Sequence, residues 1–225
     1  MTLISSLFYV WQMKKYYFIL LIILVSCSSK FELKEGDLLF QDLDSSPLCD
    51  AIELVTTGYN EANFSHIGLI VLVNDTLKVL EAIPPKVMLT NLDDFLNRSF
   101  DKDGNPKVIV GRLKDKYLHS VEEAVSYSKS KLNIEYDEVF LMNNNSYYCS
   151  ELIYEAFLND SIFELQPMTF LHPISNDTLQ TWKDYYKEIE VEIPQNKMGI
   201  NPGIMSLSNK IEMVHFYGIP DGLNN

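Results

Sequence analysis

Residues Ser65 to Ile83 read SHIGLIVLVNDTLKVLEAI, two aliphatic, β-branched runs of strand length on either side of Asn74 and Asp75. Asparagine and aspartate both tolerate the left-handed backbone that a two-residue hairpin turn requires, so the stretch predicts an antiparallel hairpin. A turn at Asn74 and Asp75 sets Val73 opposite Thr76, and therefore His66 opposite Ile83 and Gly68 opposite Glu81. Side chains alternate faces along a strand, which puts His66, Gly68, Glu81 and Ile83 on one side of the sheet. Glu81 lies on the diagonal from His66, about 7 to 8 Å away between backbones, within reach of a long side chain. A carboxylate inside KVLEAI is costly to bury without a partner, and the histidine on its face could supply one. A solvent-facing pair on an edge hairpin is the other reading.

The flanking segments read as alternating short strands and helices. Gly36 to Phe40 and Lys107 to Leu113 have strand patterns. Ser46 followed by Pro47 opens a helix running to about Thr57, and Asn91 to Arg98 forms a short one after the Pro84-Pro85 break. Ser120 and Glu123 make a capping-box pattern before the stripe Val121, Ala124, Val125, Leu132. A helix around Asp177 to Glu188, a turn-rich GINPGIMSLS and a strand within IEMVHFYGI complete the chain. The expected class is α+β.

Cys149 sits where a polar, aromatic lead-in, NNNSYY, meets the helix pattern CSELIYEAF. Leu152, Ile153, Ala156 and Phe157 follow it at helical spacing, which places the cysteine at the N-terminal end of a buried stripe. Cysteine often packs there as a small hydrophobe. The polar lead-in instead puts the sulfur at the rim of the domain. A helix N-terminus also offers unpaired N–H groups and partial positive charge, which favour a thiolate and can receive an oxyanion. A thiol needs a base, and the chain holds His66, His119, His172 and His215. His119 falls at a helix start, His172 beside Pro173 in a loop, and His215 in the last strand, while none has a metal-ligand spacing. Thiolate, imidazole and orienting carboxylate match the nucleophile, base and third group of cysteine hydrolases, although the sequence alone does not bring Cys149 near His66.

The first residues are of a different kind. Lys14 and Lys15 precede an apolar run from Tyr16 to Val25, too short for a bilayer core of about 30 Å and of the dimensions of a secretory signal. Its ending, Leu24 to Cys27, resembles the lipobox of bacterial lipoproteins, with Cys27 as the lipidated residue. Met13 is a natural start for such a signal, which would leave residues 1–12 outside it. Residues 1–26 are expected as the signal, 27–35 as a tether, 36–160 as the catalytic domain and 161–225 as an extension packed on it. Removing 1–26 loses two lysines and no acid, taking the net charge from −13 to −15. So acidic a domain is a poor partner for nucleic acid or anionic lipid. Cys49 and Cys149 then remain, with no spacing that suggests a disulfide framework.

GDLLF, SHIGLIV, VLEAI, FLNR, VGRL, YDEVF and YYCSELIYEAF, in this order, resemble the circularly permuted papain-like amidases of the YaeF/YiiX type, relatives of the NlpC-type cell-wall peptidases and of lecithin:retinol acyltransferase-like proteins. The resemblance implies a permuted papain-like fold, with a small antiparallel sheet or partial barrel packed against helices that include the cysteine helix. It implies Cys149 as nucleophile, His66 as base and Glu81 as the residue orienting His66, with no metal or cofactor. Tyr136 and Asp137 of YDEVF match the segment lining the family's cleft, and Tyr148 joins them as a substrate-side residue. The implied activity is hydrolysis of an amide bond in a murein-type peptide, with an N-acyl or lipid amide hydrolase or acyltransferase as the alternative, at a bacterial envelope membrane, expected to be the outer one. A ligand-binding surface lipoprotein without chemistry is the contrasting class. An acid-lined cleft would favour peptides bearing a free amine, and an apolar one acyl chains.

Overall fold

The computed structural model describes residues 31–224, so the signal segment and Cys27 lie outside the described residues. In chain order the main elements are β1 (Leu38–Gln41), α1 (Pro47–Leu54), β2 (His66–Val73), β3 (Thr76–Ile83), β4 (Lys86–Asn91), α2 (Leu92–Leu96), β5 (Val108–Leu113), α3 (Val121–Ser130), α4 (Cys149–Ala156), β6 (Gln166–Pro167), α5 (Gln180–Glu188), β7 (Met198–Gly199), α6 (Pro202–Ser206) and β8 (Ile211–Phe216). Six strands form one antiparallel sheet in the order β4-β3-β2-β1-β5-β8, open at both ends and not a closed barrel. β6 and β7 pair separately. Among the described residues no helix is long and apolar enough to cross a membrane.

The central hairpin forms in the expected register. Asn74 and Asp75 take φ of 48° and 59°, and the ladder runs from Val73↔Thr76 to Leu69↔Leu80. Alternation then divides the residues. Ile67, Leu69, Leu80 and Ala82 join the main core with Leu152 and Ile153 of α4, Phe157 just after it and Ala124 of α3. Burying each such aliphatic side chain contributes about 1.5 to 3 kcal/mol. The opposite face, carrying Gly68, Val79 and Glu81, is covered by Phe95 of α2. The space over Gly68 is therefore filled: a Cβ there would overlap Val79 Cγ1 and lie 3.2 Å from Phe95 Cε2.

Two local expectations are corrected. Pro84-Pro85 does not end the sheet, because Ile83 pairs with Lys86 across it and β4 follows directly. Ser120 and Glu123 form no capping box. A 3-10 turn, Asp115–Ser120, already winds into α3, and the Ser120 hydroxyl donates back to the Tyr117 carbonyl at 2.7 Å. The segment 161–225 contributes β8 to the main sheet and α5, which packs on α1.

Candidate active site

His66 opens β2 and Glu81 lies near the end of β3, and the hairpin register brings them together. His66 is 5% exposed and Glu81 0%, with Nε2 2.6 Å from Oε2. Glu81 also accepts from both guanidinium nitrogens of Arg98, at 2.8 and 2.6 Å, and from the Thr90 hydroxyl. Burial alone would raise the Glu81 pKa, but the hydrogen bonds and positive charges of Arg98 and His66 pull it down to about 2. An ionised Glu81 accepts a hydrogen bond from Nε2–H, which leaves Nδ1 of His66 for another partner. Cys149 is the other group that acts on the imidazole. Burial pushes the His66 pKa down, while the influence of Cys149 and the hydrogen bond and negative charge of Glu81 lift it to about 9. A protonated imidazole beside a thiol is the setting in which a thiolate–imidazolium pair forms.

Cys149 is the first residue of α4, with Tyr148 as N-cap. Asn143 and Asn145 in the lead-in take positive φ, 65° and 66°, a conformation asparagine tolerates, so the polar run turns sharply into the helix. As first helical residue, Cys149 has a backbone N–H with no intrahelical acceptor. Cys149 is 7% exposed and lines a cavity of about 720 Å³. Ile200 fixes the helix start from across the chain, its N–H donating to Tyr148 Oη at 3.3 Å and its carbonyl accepting from Ser150 Oγ at 3.0 Å.

The cavity is largely apolar and aromatic in its lining, which includes Tyr136, Phe140, Tyr148, Trp182, Leu48 and Ile52. Its described lining holds Glu138, Glu188 and His66 as ionisable side chains of the charged kind, and no lysine or arginine. α5 secures the Tyr136 segment: Tyr185 Oη donates to the Glu138 carbonyl at 2.6 Å and Tyr186 Oη to that of Val139 at 3.2 Å. The Phe140 ring, carried on a backbone with φ 55°, packs edge-on against Tyr136, Tyr148 and Trp182. Burial, and then the nearby Cys149 charge, hold the Tyr136 phenol well above its ordinary pKa, so it stays protonated as a donor.

The expected substrate-side residues divide. Tyr136 and Tyr148 line the cavity. Asp137 does not: it is 2% exposed, and its two oxygens accept from the amides of Val139 and Leu141 at 2.8 Å each. Its carboxylate holds the loop's own amides. Tyr147 and Tyr154 pack with the main core. The remaining histidines are elsewhere: His119 pairs with Asp160 at 3.0 Å on the surface, His172 accepts loop amides through Nδ1, and His215 sits on edge strand β8. Cys49 is a free thiol on the same cavity as Cys149. Sequence reasoning missed Arg98, Phe140, Trp182 and Tyr185. The α5 pattern marked the last two as helical, with nothing to show which cavity they wall.

Asp42, Asp44 and Asp221 converge within reach of one metal ion. Lys107 Nζ already occupies that position, at 3.1, 2.7 and 3.1 Å from the three carboxylates.

Among curated proteins no relative matches the chain. In fold the chain is similar to the crystal structure of the metalloprotein YiiX from Escherichia coli O157:H7, with a TM-score of 0.69 and 23% identity over 84% of this chain and 100% of that one. The family model described as permuted papain-like amidase enzyme, YaeF/YiiX, C92 family matches residues 32–215, a span that holds His66, Glu81 and Cys149 together with the α5 wall. The chain therefore belongs to the YaeF/YiiX family of permuted papain-like amidases, the C92 cysteine hydrolases.

Proposed function

We propose that the protein hydrolyses an amide whose acyl part is apolar, with Cys149 as nucleophile, His66 as general base and acid, and Glu81 holding His66. The observation that carries this reading is the junction of the buried His66–Glu81 pair and Cys149 with a cavity whose described lining is largely aromatic and aliphatic and holds no lysine or arginine. An acyl chain fits such a lining. A murein-type peptide would carry free carboxylates past Glu138 and Glu188 without a cation to receive them.

The Cys149 thiolate attacks the carbonyl carbon, forming a C–S bond. The oxyanion lies against the Cys149 N–H and the Tyr136 hydroxyl. His66 gives its Nδ1 proton to the nitrogen as the C–N bond breaks, releasing the amine and leaving a thioester. A water then loses a proton to His66 and attacks the thioester, restoring the thiol and freeing the acid. Leu24 to Cys27 support anchoring by a lipid at an envelope membrane, where acylated substrates are at hand.

A second reading keeps the chemistry and changes the substrate. Glu138 and Glu188 flank Tyr185 at the cavity, which would suit a peptide with a free amine and an apolar side chain. Hydrolysis of N-acyl amino acids from butanoyl to tetradecanoyl, compared with murein peptides, separates them. The acyl reading expects rates that rise with chain length and vanish in Cys149→Ala. Cleavage of the peptides with none of the N-acyl series would overturn it, and ligand binding that survives Cys149→Ala without any turnover would leave a binding protein.

A further inference from the structure

Glu81 has more partners than orienting a histidine requires. One Oε accepts from His66 and Arg98, and the other from Arg98 and Thr90, so the buried carboxylate is saturated and cannot rotate. Arg98 is itself held. Its guanidinium lies 5.0 Å from the Phe95 ring centre, and the same ring lies 5.8 Å from the His66 ring. The Phe95 carbonyl in turn accepts from Gln41 Nε2 at 2.8 Å. Phe95 thus fixes the spacing between the imidazole and the guanidinium.

We propose that Arg98 is a positioning residue of the catalytic centre, its forked grip on Glu81 fixing the carboxylate that holds His66 and balancing that carboxylate's charge when Cys149 ionises. The inference rests on the roles assigned above to Cys149, His66 and Glu81. Thiolate, imidazolium and carboxylate together carry one net negative charge in a buried site, and the guanidinium brings the set to neutrality. Without it, the negative charge of Glu81 opposes a second negative charge on sulfur. The groups around this set are few: His66 meets Glu81 from β3 and is acted on by Cys149 of α4, Thr90 and Arg98 meet Glu81, Tyr136 and Tyr148 lie under the influence of Cys149, and Cys49 lines the same cavity. Arg98 alone among these is a permanent cation.

The test is the rate of Cys149 alkylation by iodoacetamide, read by mass spectrometry with Cys49 as internal reference, from about pH 4 to about pH 10. In Arg98→Gln the inflection at which Cys149 becomes reactive moves to higher pH by roughly half a unit or more, because a cation favouring the thiolate is gone. In Arg98→Lys the inflection stays and the rate falls, since an ammonium keeps the charge but cannot fork. Loss of packing alone would slow the reaction at every pH without moving the inflection. An inflection in Arg98→Gln at the wild-type position overturns the proposal. Should that variant not fold, Arg98→Lys decides: a wild-type rate and inflection overturn it. A wild-type Cys149 no more reactive than Cys49 at any pH instead overturns the assignment of Cys149 itself.

Discussion

Tyr136 brings a hydroxyl into the cavity that no described group accepts from or donates to, while the other tyrosines around it are committed: Tyr148 to Ile200 and Met142, Tyr185 to Glu138. A protonated phenol under the influence of the Cys149 charge is suited to donate to a developing oxyanion. Tyr136→Phe is expected to lower kcat by about 10²-fold with little change in KM, as loss of one oxyanion donor does. Steady-state rates on the best N-acyl substrate check this, and an unchanged kcat would remove Tyr136 from the chemistry. Of the residues that meet here, His66 and Glu81 were legible because a two-residue turn and strict alternation determine which side chains share a face. Arg98 was not. It reaches Glu81 through β4 and α2, and no period links residues 81 and 98. The orientation of Asp137 was not legible, because its sequence context is the same whether a carboxylate faces a substrate or the amides two and four positions on.

The hairpin of β2 and β3 shows how an element carries the site. Gly68 sits between His66 and the body of the sheet on the face that Phe95 covers, and Val79 fills the place of its missing side chain. Gly68→Ala must displace Val79 or the Phe95 ring, which also contacts His66. It is expected to destabilise the fold by about 1 to 3 kcal/mol, the usual range for overpacking, and to slow Cys149 alkylation. Urea unfolding and the alkylation rate measure the two effects; an unchanged midpoint would show that Val79 yields freely. The same hairpin was readable because each residue of NDT has one favoured role there. β4 was not, because a proline pair reads as a break until the strand beyond it is seen to pair. The cavity wall on α5 was hidden for a different reason: Trp182, Tyr185 and Tyr186 follow helical spacing, but which helix they pack on is a long-range fact.

The molecule as a whole holds several carboxyl groups whose burial sets how its stability follows pH. Glu53 and Glu151 are buried, and burial pushes each up to about 8 from 4.5. Glu53 Oε1 and Glu151 Oε2 have no described hydrogen-bond partner, as suits groups that keep their proton. In the unfolded chain both would ionise near 4.5, so between pH 4.5 and 8 the folded state binds more protons and stability falls as pH rises. His66 acts in the same sense: raised from 6.5 to about 9, its contribution is complete below 6.5 and lost as pH climbs through 9. Glu81 acts in the opposite sense and in another window. Lowered to about 2, it stabilises fully above 4.5, and that contribution is lost as pH falls through 2. The windows leave a stability maximum at or a little below pH 4.5, and the acid excess of the chain, −13 at pH 7, adds repulsion on the alkaline side. Urea midpoints at pH 5 and pH 8 test this, with the lower midpoint expected at pH 8. Glu53→Gln with Glu151→Gln should flatten the difference, since glutamine mimics the protonated acid. A midpoint at pH 8 equal to or above that at pH 5 would mean that both carboxylates ionise inside the fold without cost.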